Sequence, residues 1–455
     1  MILGHALPLG KPFFALLGCP AHDALFLCRF LLACVLPKRR LTAALIAGCM
    51  RAHVRHHSNV ARFLRHLPQG VAADWLEALF GNQLLGEPAA GTWLFVLDQT
   101  YCGHQSDRLE NTFSTAHRGR RQKHERKDKR KKRKQQAQSY CHCFVVGLLL
   151  TPTGLRLPVW LPYYTKEYCG QRGWPYHTQP ESAAQLIDQL RVPEQARVVV
   201  VGDNAFDAAA ILAACGRRGF RWVVSMNHDR RLAGPEPRPQ VRALAARGTA
   251  AQYVPVRLTP GQGPNAAQRR ASAGRVGPKA KSRTYWVHEE RCDVYKAGVA
   301  RVLFSTSKAI VAGQAVEVQK VLLSNDLERS TAEIIEIYDL RWQIEIFFKE
   351  CKSVLGLAGY RFRGFREVAG WVNGCLLAFG YLEWYRLQML GQARSAADKE
   401  RWWRQRSHGL ALAVQQDVER EDLLAMLEMS QTPVGLANLQ EQLRQALPKE
   451  YRKAC

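Results

Sequence analysis

The chain contains 455 residues, of which 65 are lysine or arginine and 39 are aspartate or glutamate, so its formal net charge is +26. Such a surplus favours a polyanionic partner. The length exceeds one typical domain, and the hydrophobic fraction of 47% excludes a chain that lacks a packed core.

The first 88 residues are predicted to be helical. The apolar run His22–Leu36 could be taken for a membrane span, but Arg29 lies in its middle. The run is also shorter than the roughly 20 residues that a bilayer requires, and no convincing cleavage site follows, so neither an anchor nor a signal peptide is favoured. Basic interruptions at 36–41 and 50–57 indicate the ends and exposed faces of small helices.

The first predicted core strand is the apolar run Thr92–Thr100, which stops at Asp98. A strongly basic segment, residues 117–136, separates it from a second apolar strand at Cys143–Leu150. The segment is either a solvated loop or a salt-dependent contact for phosphates that reads no bases. Its densest positions are Arg130, Lys131, Lys132 and Arg133.

Thirteen cysteines raise the question of a metal site or of disulfides. Most lie in apolar stretches, which predicts buried, reduced thiols. One cluster has the composition of a zinc site, but its spacing matches no zinc motif. It comprises Cys102, His104, Cys141, His142 and Cys143.

A further strand, Val198–Gly202, places Asp203 at its carboxyl end and is followed by a helical pattern. Groups that bind ligands in α/β sheets tend to lie at this edge. An aspartate in this position is also often only the N-cap of the next helix. The flanking elements predicted here are a strand at 155–160, a helix at 181–190 and a strand at 220–226.

The segment Tyr338–Lys352 is the most informative part of the chain. On one helix, its polar residues Tyr338, Arg341, Glu345 and Lys352 would fall within an arc of about 60°. The other positions are mostly apolar, so a buried helix is expected, and buried charge is costly unless it is paired or bound to a metal. The simplest alternative is a structural salt bridge between Arg341 and Glu345 at i, i+4 spacing. The apolar positions are Leu340, Trp342, Ile344, Ile346, Phe347 and Phe348.

The spacing Tyr-x2-Arg-x3-Glu-x6-Lys in this segment resembles the signature of the DDE-type transposases of bacterial insertion sequences, whose catalytic domain is RNase H-like. All four positions match. The resemblance implies that Asp98, Asp203 and Glu345 form the catalytic triad. The family usually has a small residue, most often Gly, two residues after the second aspartate and an aromatic residue three after it; this chain has Ala205 in place of Gly, and Phe206 supplies the aromatic residue.

The implied fold is α/β: an RNase H-like mixed sheet with flanking helices, a β-rich insertion before the last catalytic helix, and helical N- and C-terminal regions. The expected boundaries are 1–88 for a helical, DNA-binding region, 89–230 and 326–390 for the catalytic core, 231–325 for the insertion and 391–455 for a helical tail. By the same resemblance, residues 1–88 would recognise the terminal repeats of the element; they could instead only support the core. Trp286 in the insertion either packs in the core or stacks on a displaced base.

The resemblance also implies the chemistry. Two Mg²⁺ ions about 3.5 to 4 Å apart, with Mn²⁺ able to substitute, activate a water and stabilise the departing 3′ oxygen. Such hard cations prefer oxygen ligands, which Asp98, Asp203 and Glu345 would supply. Arg341 would hold a phosphate, and Tyr338 and Lys352 would extend the grip on the DNA end.

The expected partners are the terminal repeats of the element and target DNA, with a homodimer in the synaptic complex and no membrane. The expected location is the bacterial cytoplasm, on the nucleoid. Two alternatives stay open: a DNA-binding protein that has lost cleavage, and an RNase H-like nuclease without strand transfer.

Overall fold

The computed structural model describes the core of the chain almost completely and the N-terminal region only in part. The described residues are 30–31, 33–35, 46, 56, 58–67, 91–104, 106, 108–115, 139–227, 229–247, 249–258, 265, 268, 282–311, 314, 316–431, 433–435, 437–438 and 440.

The core combines two runs of consecutive strands with a shorter stretch in which strands and helices alternate. In chain order the elements are α1 (Ser58–His66), β1 (Thr92–His104), β2 (Phe113–Thr115), β3 (Ser139–Leu150), β4 (Arg156–Pro162), α2 (Lys166–Gly170), α3 (Gln179–Gln189), β5 (Arg197–Gly202), α4 (Ala209–Arg217), β6 (Arg221–Ser225), β7 (Val254–Leu258), β8 (Arg283–Val294), β9 (Gly298–Thr306), β10 (Lys320–Ser324), α5 (Thr331–Asp339), α6 (Trp342–Ser353), α7 (Phe365–Gln392), α8 (Ala396–Arg404) and α9 (Ser407–Ser430).

These strands form one mixed sheet in the order β2-β3-β1-β5-β6-β10-β9-β8-β7, with β4 also paired to β3. Strands β1, β5 and β6 are parallel, and β3 and β10 flank them in antiparallel orientation. The four valines of β5, residues 198–201, are all buried, as expected for a central strand covered on both faces. This large mixed sheet with flanking helices is consistent with the RNase H-like fold that the resemblance implies.

The strands of the predicted insertion continue the core sheet. Strand β10 pairs with β6, from Leu322 opposite Ser225 to Ser324 opposite Val223, and β9, β8 and β7 follow outward. Trp286 on β8 is partly buried opposite Thr306 of β9. The insertion therefore adds strands to the edge of the catalytic sheet, and its boundaries at 231–325 stay a prediction.

The segment Tyr338–Lys352 is not one continuous helix, which corrects the sequence-based expectation. Helix α5 ends at Asp339 and α6 begins at Trp342. The intervening turn is tightened by i→i−3 bonds, in which the Arg341 N–H donates to the Tyr338 carbonyl at 3.0 Å. The break interrupts the regular α-helical spacing between Tyr338 and the later residues.

Helix α7 is the long buried helix beside this segment. Gly370 on α7 lies against α1, because a Cβ atom at this glycine would come within 2.0 Å of the Leu64 carbonyl oxygen. Helix α1 therefore packs closely on the core, which agrees with a supporting role for this part of the N-terminal region. Of the run His22–Leu36, residues 30, 31 and 33–35 are described; they are helical and buried.

A buried ion network joins the sheet to the C-terminal helices. Arg156 on β4 donates to Glu383 on α7 at 2.8 Å and to Glu350 on α6 at 3.0 Å. Arg386 donates to Glu383 at 3.1 Å, and Ser407 at the start of α9 donates to Glu350 at 2.8 Å. Because Arg156, Glu383 and Arg386 are almost fully buried, each depends on these partners.

Arg386 also fixes the end of α8. Its guanidinium donates to three backbone carbonyls at and just beyond the last turn of that helix, at 2.8 to 2.9 Å, namely Trp402, Trp403 and Gln405. Among the residues that the structure describes, no helix is long and apolar enough to cross a membrane.

Candidate active site

Asp98 and Asp203 lie at corresponding positions of two adjacent parallel strands. The register of β1 and β5 pairs Val96 with Val201, and each aspartate follows two residues later. Strand β1 does not stop at Asp98 but continues to His104, still paired with β3. The expectation that Asp98 ends its strand is therefore wrong, although pairing with β5 does end just before it.

Asp98 is a carboxyl group with an unusual pKa. Burial raises the pKa of Asp98 to about 6, against 3.8 for an ordinary aspartate. The hydrogen bond from the Gln99 N–H at 2.7 Å and the positive charge of Arg341 both lower the pKa of Asp98 and so partly offset the effect of burial. The charges of Asp203 and Glu345 raise the pKa further, so the other two predicted acids both act electrostatically on Asp98.

Asp203 caps the short turn that follows β5. Its Oδ1 accepts a hydrogen bond from the Ala205 N–H at 2.9 Å, at the start of a 3-10 helix over Asn204–Phe206. Gly202 before it is packed tightly, because a Cβ atom there would lie 2.7 Å from the Cβ of Phe206. Asp203 therefore caps this 3-10 turn through Oδ1 and not the predicted helix, because the N-cap of α4 is Ala208.

Arg341 joins the two remaining parts of the site. Its guanidinium donates to the Glu345 carboxylate and also lies 3.9 Å from Asp98 Oδ2. The i, i+4 ion pair that the sequence offered as an alternative is thus present. It does not remove Glu345 from the site, since the same guanidinium connects Glu345 on α6 with Asp98 on β1.

Tyr338 lies close enough to Arg341 to act on it electrostatically, and Lys352 lies further along α6. Tyr338 is buried, and its hydroxyl accepts a hydrogen bond from Lys320 Nζ at 3.3 Å, with that ammonium 4.8 Å from the ring centre. Lys352 is exposed and donates to the Tyr101 carbonyl at 3.2 Å. Sequence reasoning missed Lys320, since nothing in the first position of β10 signals a contact with α5.

Trp342 differs from its expected environment. The sequence placed it among the apolar residues of a buried helix, but its side chain is 58% exposed, whereas its neighbours Gln343 and Ile344 are fully buried. The expectation that Trp342 is buried is therefore wrong.

The chemistry of these residues fits a hard divalent cation. The donors are carboxylate oxygens from β1, the end of β5 and α6, which are the ligands that Mg²⁺ and Mn²⁺ prefer. Among the residues that the structure describes, however, no three His, Cys, Asp or Glu side chains are already arranged to hold an ion. A cation would therefore compete with Arg341 for Asp98 and Glu345.

The cysteine and histidine cluster forms part of the buried core. His142 is fully buried, with Nδ1 2.8 Å from the Tyr360 hydroxyl and Nε2 2.8 Å from the Glu110 carbonyl. Burial lowers the pKa of His142 to about 4 and raises the pKa of the Cys102 thiol to about 11. These are the properties of a neutral histidine and protonated thiols in a core.

The basic segment 117–136 lies outside the described residues. The predicted contacts Arg130, Lys131, Lys132 and Arg133 therefore have no structural description. The same holds for most of residues 1–88 and for most of the loop at 259–282.

This candidate active site lies partly within a recognised domain. Residues 179–379 match the family model of the transposase DDE domain. The matched range includes Asp203, Tyr338, Arg341, Glu345 and Lys352 and begins after Asp98. No curated protein matches the chain. The domain match supports a DDE transposase, which is an enzyme class whose substrate is DNA.

Proposed function

We propose that this protein is a DNA transposase that cleaves phosphodiester bonds at the ends of an element and transfers the cut strand into target DNA. The observation that carries the proposal is the juxtaposition of Asp98 and Asp203 on neighbouring parallel strands, with Glu345 linked to Asp98 through Arg341. Metal-dependent phosphoryl transfer requires that acids from distant parts of the chain come together in this way.

In this proposal Asp98, Asp203 and Glu345 are the catalytic residues and would hold two Mg²⁺ ions, or Mn²⁺ in their place. When bound, the ions supply activation of the attacking water or 3′ hydroxyl and stabilisation of the departing oxygen. The chain itself fixes the acids: β1 and β5 set the spacing of the two aspartates, and Gln99 and Ala205 each hold one aspartate oxygen. Arg341 orients a phosphate next to them.

The remaining assignments follow from charge and position. Lys352 is exposed, whereas Tyr338 is buried beneath Lys320; we propose both as DNA contacts together with Arg130, Lys131, Lys132 and Arg133. The DNA would be the terminal repeats and the target, held by a homodimer in the synaptic complex. We place this activity on the bacterial nucleoid.

The test uses the purified full-length chain, Mg²⁺ and DNA that carries the inverted repeats flanking the gene. We expect the parent to nick the repeat end and to join it to a second DNA. The variants Asp203→Asn and Glu345→Gln should bind the end as the parent does but produce no nicks. Glu328→Gln serves as the matched control, because Glu328 is an exposed carboxylate in a surface ion pair with Arg221, and it should cut normally.

The outcomes separate the three candidate functions. Cutting and joining support the transposase. Cutting without joining, at any concentration of target DNA, would indicate a nuclease, and binding without cutting would indicate a DNA-binding protein that has lost catalysis. Loss of binding together with cleavage in Asp203→Asn would contradict the assignment of Asp203 as a metal ligand.

A further inference from the structure

A pocket lined by aromatic and arginine side chains lies outside the predicted triad. Its volume is about 470 Å³, and it is formed by the loop after β4, helix α2 and the start of α7. Its aromatic members pack edge to face and in parallel, with ring centres 5.4 to 6.1 Å apart, and comprise Tyr164, Tyr168, Trp174 and Phe365. A volume of this size suits one small planar ligand with its attached groups.

The pocket exposes an aromatic face beside a cation. Trp174 is 47% exposed, which is unusual for so large an apolar side chain. The Arg172 guanidinium lies 3.5 Å above the Tyr168 ring and 6.0 Å from the Trp174 ring. Planar rings and a stacked guanidinium are the groups on which nucleobases stack in proteins that bind single strands.

The rim of the pocket is positively charged. Glu367 is paired with Arg65, and Glu110 lies 3.8 Å from Arg172, so the two carboxylates of the lining already have partners. Three exposed arginines lie just before α7 and in its first turn, and the last of them lines the pocket; none makes an ion pair with any described residue, so their charge is available to an anion. They are Arg361, Arg363 and Arg366.

A ribbon of aromatic contacts leads from the strand of Asp98 to this loop. Tyr101 follows Asp98 by three residues, roughly 10 Å along β1. From Tyr101 the rings of Phe113, Tyr163 and Tyr176 follow in edge-to-face contacts of 5.8, 6.4 and 6.3 Å. Tyr101 and Tyr176 at its two ends are exposed. Because side chains alternate along a strand, however, Tyr101 points to the face of the sheet opposite to Asp98, so this aromatic surface is not a path from the Asp98 side chain.

We propose that this pocket binds an unpaired nucleotide of the DNA, with its base against Trp174 and its phosphate against Arg366. The inference rests on the proposed function for the identity of the ligand as DNA. A single strand is favoured over a duplex, because the pocket accommodates one base and because stacking on Trp174 requires a base that is free of its partner.

The test measures binding without Mg²⁺, so that it does not depend on catalysis. The probes are a forked DNA with a single-stranded arm that carries 2-aminopurine, the fully paired duplex of the same length, and deoxyadenosine monophosphate. Trp174→Ala should weaken binding of the fork by roughly 5- to 150-fold, the usual range for loss of one stacked base, and should abolish quenching of the 2-aminopurine. Binding of the duplex should change by less than about twofold.

Two further variants control for folding and for general loss of aromatic surface. Trp174→Phe preserves a stacking ring and should retain most of the fork affinity. Tyr295→Ala is the matched control, since Tyr295 is an exposed ring flanked by Arg238 at 4.1 Å and Lys296 at 5.3 Å but lies in the β8–β9 turn. It should bind the fork as the parent does.

Three results would overturn the proposal: unchanged fork binding in Trp174→Ala, an equal loss of fork and duplex binding in that variant, or binding of the mononucleotide as tight as that of the fork. Failure of the proposed function would look different. If the parent protein never cuts DNA but Trp174→Ala still loses fork binding, the proposal for the pocket stands and the proposed transposase function fails.

Discussion

The guanidinium of Arg341 lies 3.9 Å from the carboxylate of Asp98, although the two residues belong to elements at opposite ends of the core sequence. The same guanidinium binds Glu345. A cation supplied by the chain thus stands between two of the three predicted catalytic acids, and the electrostatics of the site can be tested through it.

Replacing Asp98 should abolish cleavage without destabilising the fold. Because the pKa of Asp98 is raised to about 6, the folded protein holds this proton more tightly than the unfolded chain does. The ionised carboxylate therefore lowers stability, by up to about 3 kcal/mol for a shift of about two units. Measured by urea unfolding in EDTA, Asp98→Asn should exceed the parent in stability above pH 6 and equal it below about pH 4. A variant less stable than the parent at pH 8 would show that Asp98 supports the fold.

Replacing Arg341 should slow cleavage far more than it weakens DNA binding, since one phosphate contact adds little to the affinity of so basic a chain. Arg341 also lowers the pKa of Asp98. In Arg341→Ala the pH at which the cleavage rate reaches half its maximum should therefore move upward. Arg341→Lys retains the charge but not the two-pronged guanidinium, so its pH profile should resemble that of the parent while its cleavage rate is lower. If Arg341→Ala cleaves at the normal rate when saturated with DNA, Arg341 has no role in cleavage and only forms the ion pair with Glu345.

Neutralising part of the basic segment should weaken DNA binding without changing sequence preference. The segment carries twelve lysines and arginines between Arg118 and Lys134, against Glu125 and Asp128. In Lys131→Gln, Lys132→Gln, Arg133→Gln the slope of log affinity against log salt should fall by about one unit for each phosphate that the protein no longer neutralises. The control neutralises three exposed or half-buried cations of α8, namely Lys399, Arg401 and Arg404. If the two triple variants have equal slopes of log affinity against log salt, the basic segment contacts no phosphates and is only a spacer.

Breaking the buried ion network should destabilise the protein strongly. Glu383→Gln leaves Arg386 without its carboxylate and takes one of the two from Arg156, and removal of one partner of a buried pair typically costs about 3–5 kcal/mol. Glu400→Gln is the control, because Glu400 pairs with Arg404 on the surface, where such pairs contribute about 0–1 kcal/mol. Chemical denaturation measures both. A decrease below about 1 kcal/mol in Glu383→Gln would mean that the network is dispensable.

Much of the sheet could be predicted from the sequence, because its central strands are short apolar runs bounded by polar residues. Strand β5 lies where its valines predicted it, and Asp203 follows it. The candidate acids were found through the spacing around Glu345 and not through their local patterns, since Asp203 alone is indistinguishable from an N-cap. The local sequence pattern predicted each strand separately. The register that aligns Asp98 with Asp203 is known only from the pairing of β1 with β5 in the structure.

The errors have a common physical origin. Periodicity assumes an unbroken helix, so it did not predict the tight turn at Leu340 and Arg341. Pairings between distant residues leave no local signal either: Arg156 finds Glu383 227 positions away. The pairing of β10 with β6, which turns the insertion into part of the main sheet, is hidden for the same reason.

The contacts of Ser407 and Arg386 connect residues 402–407 to the buried charges of α6 and α7, which lie earlier in the sequence. Glu350, five residues after Glu345, receives a hydrogen bond from Ser407, and the carbonyls that satisfy Arg386 come from residues 402, 403 and 405. A stop codon or frameshift near codon 395 would leave both buried charges without these partners. Such an allele would encode every predicted catalytic acid and still produce an inactive protein.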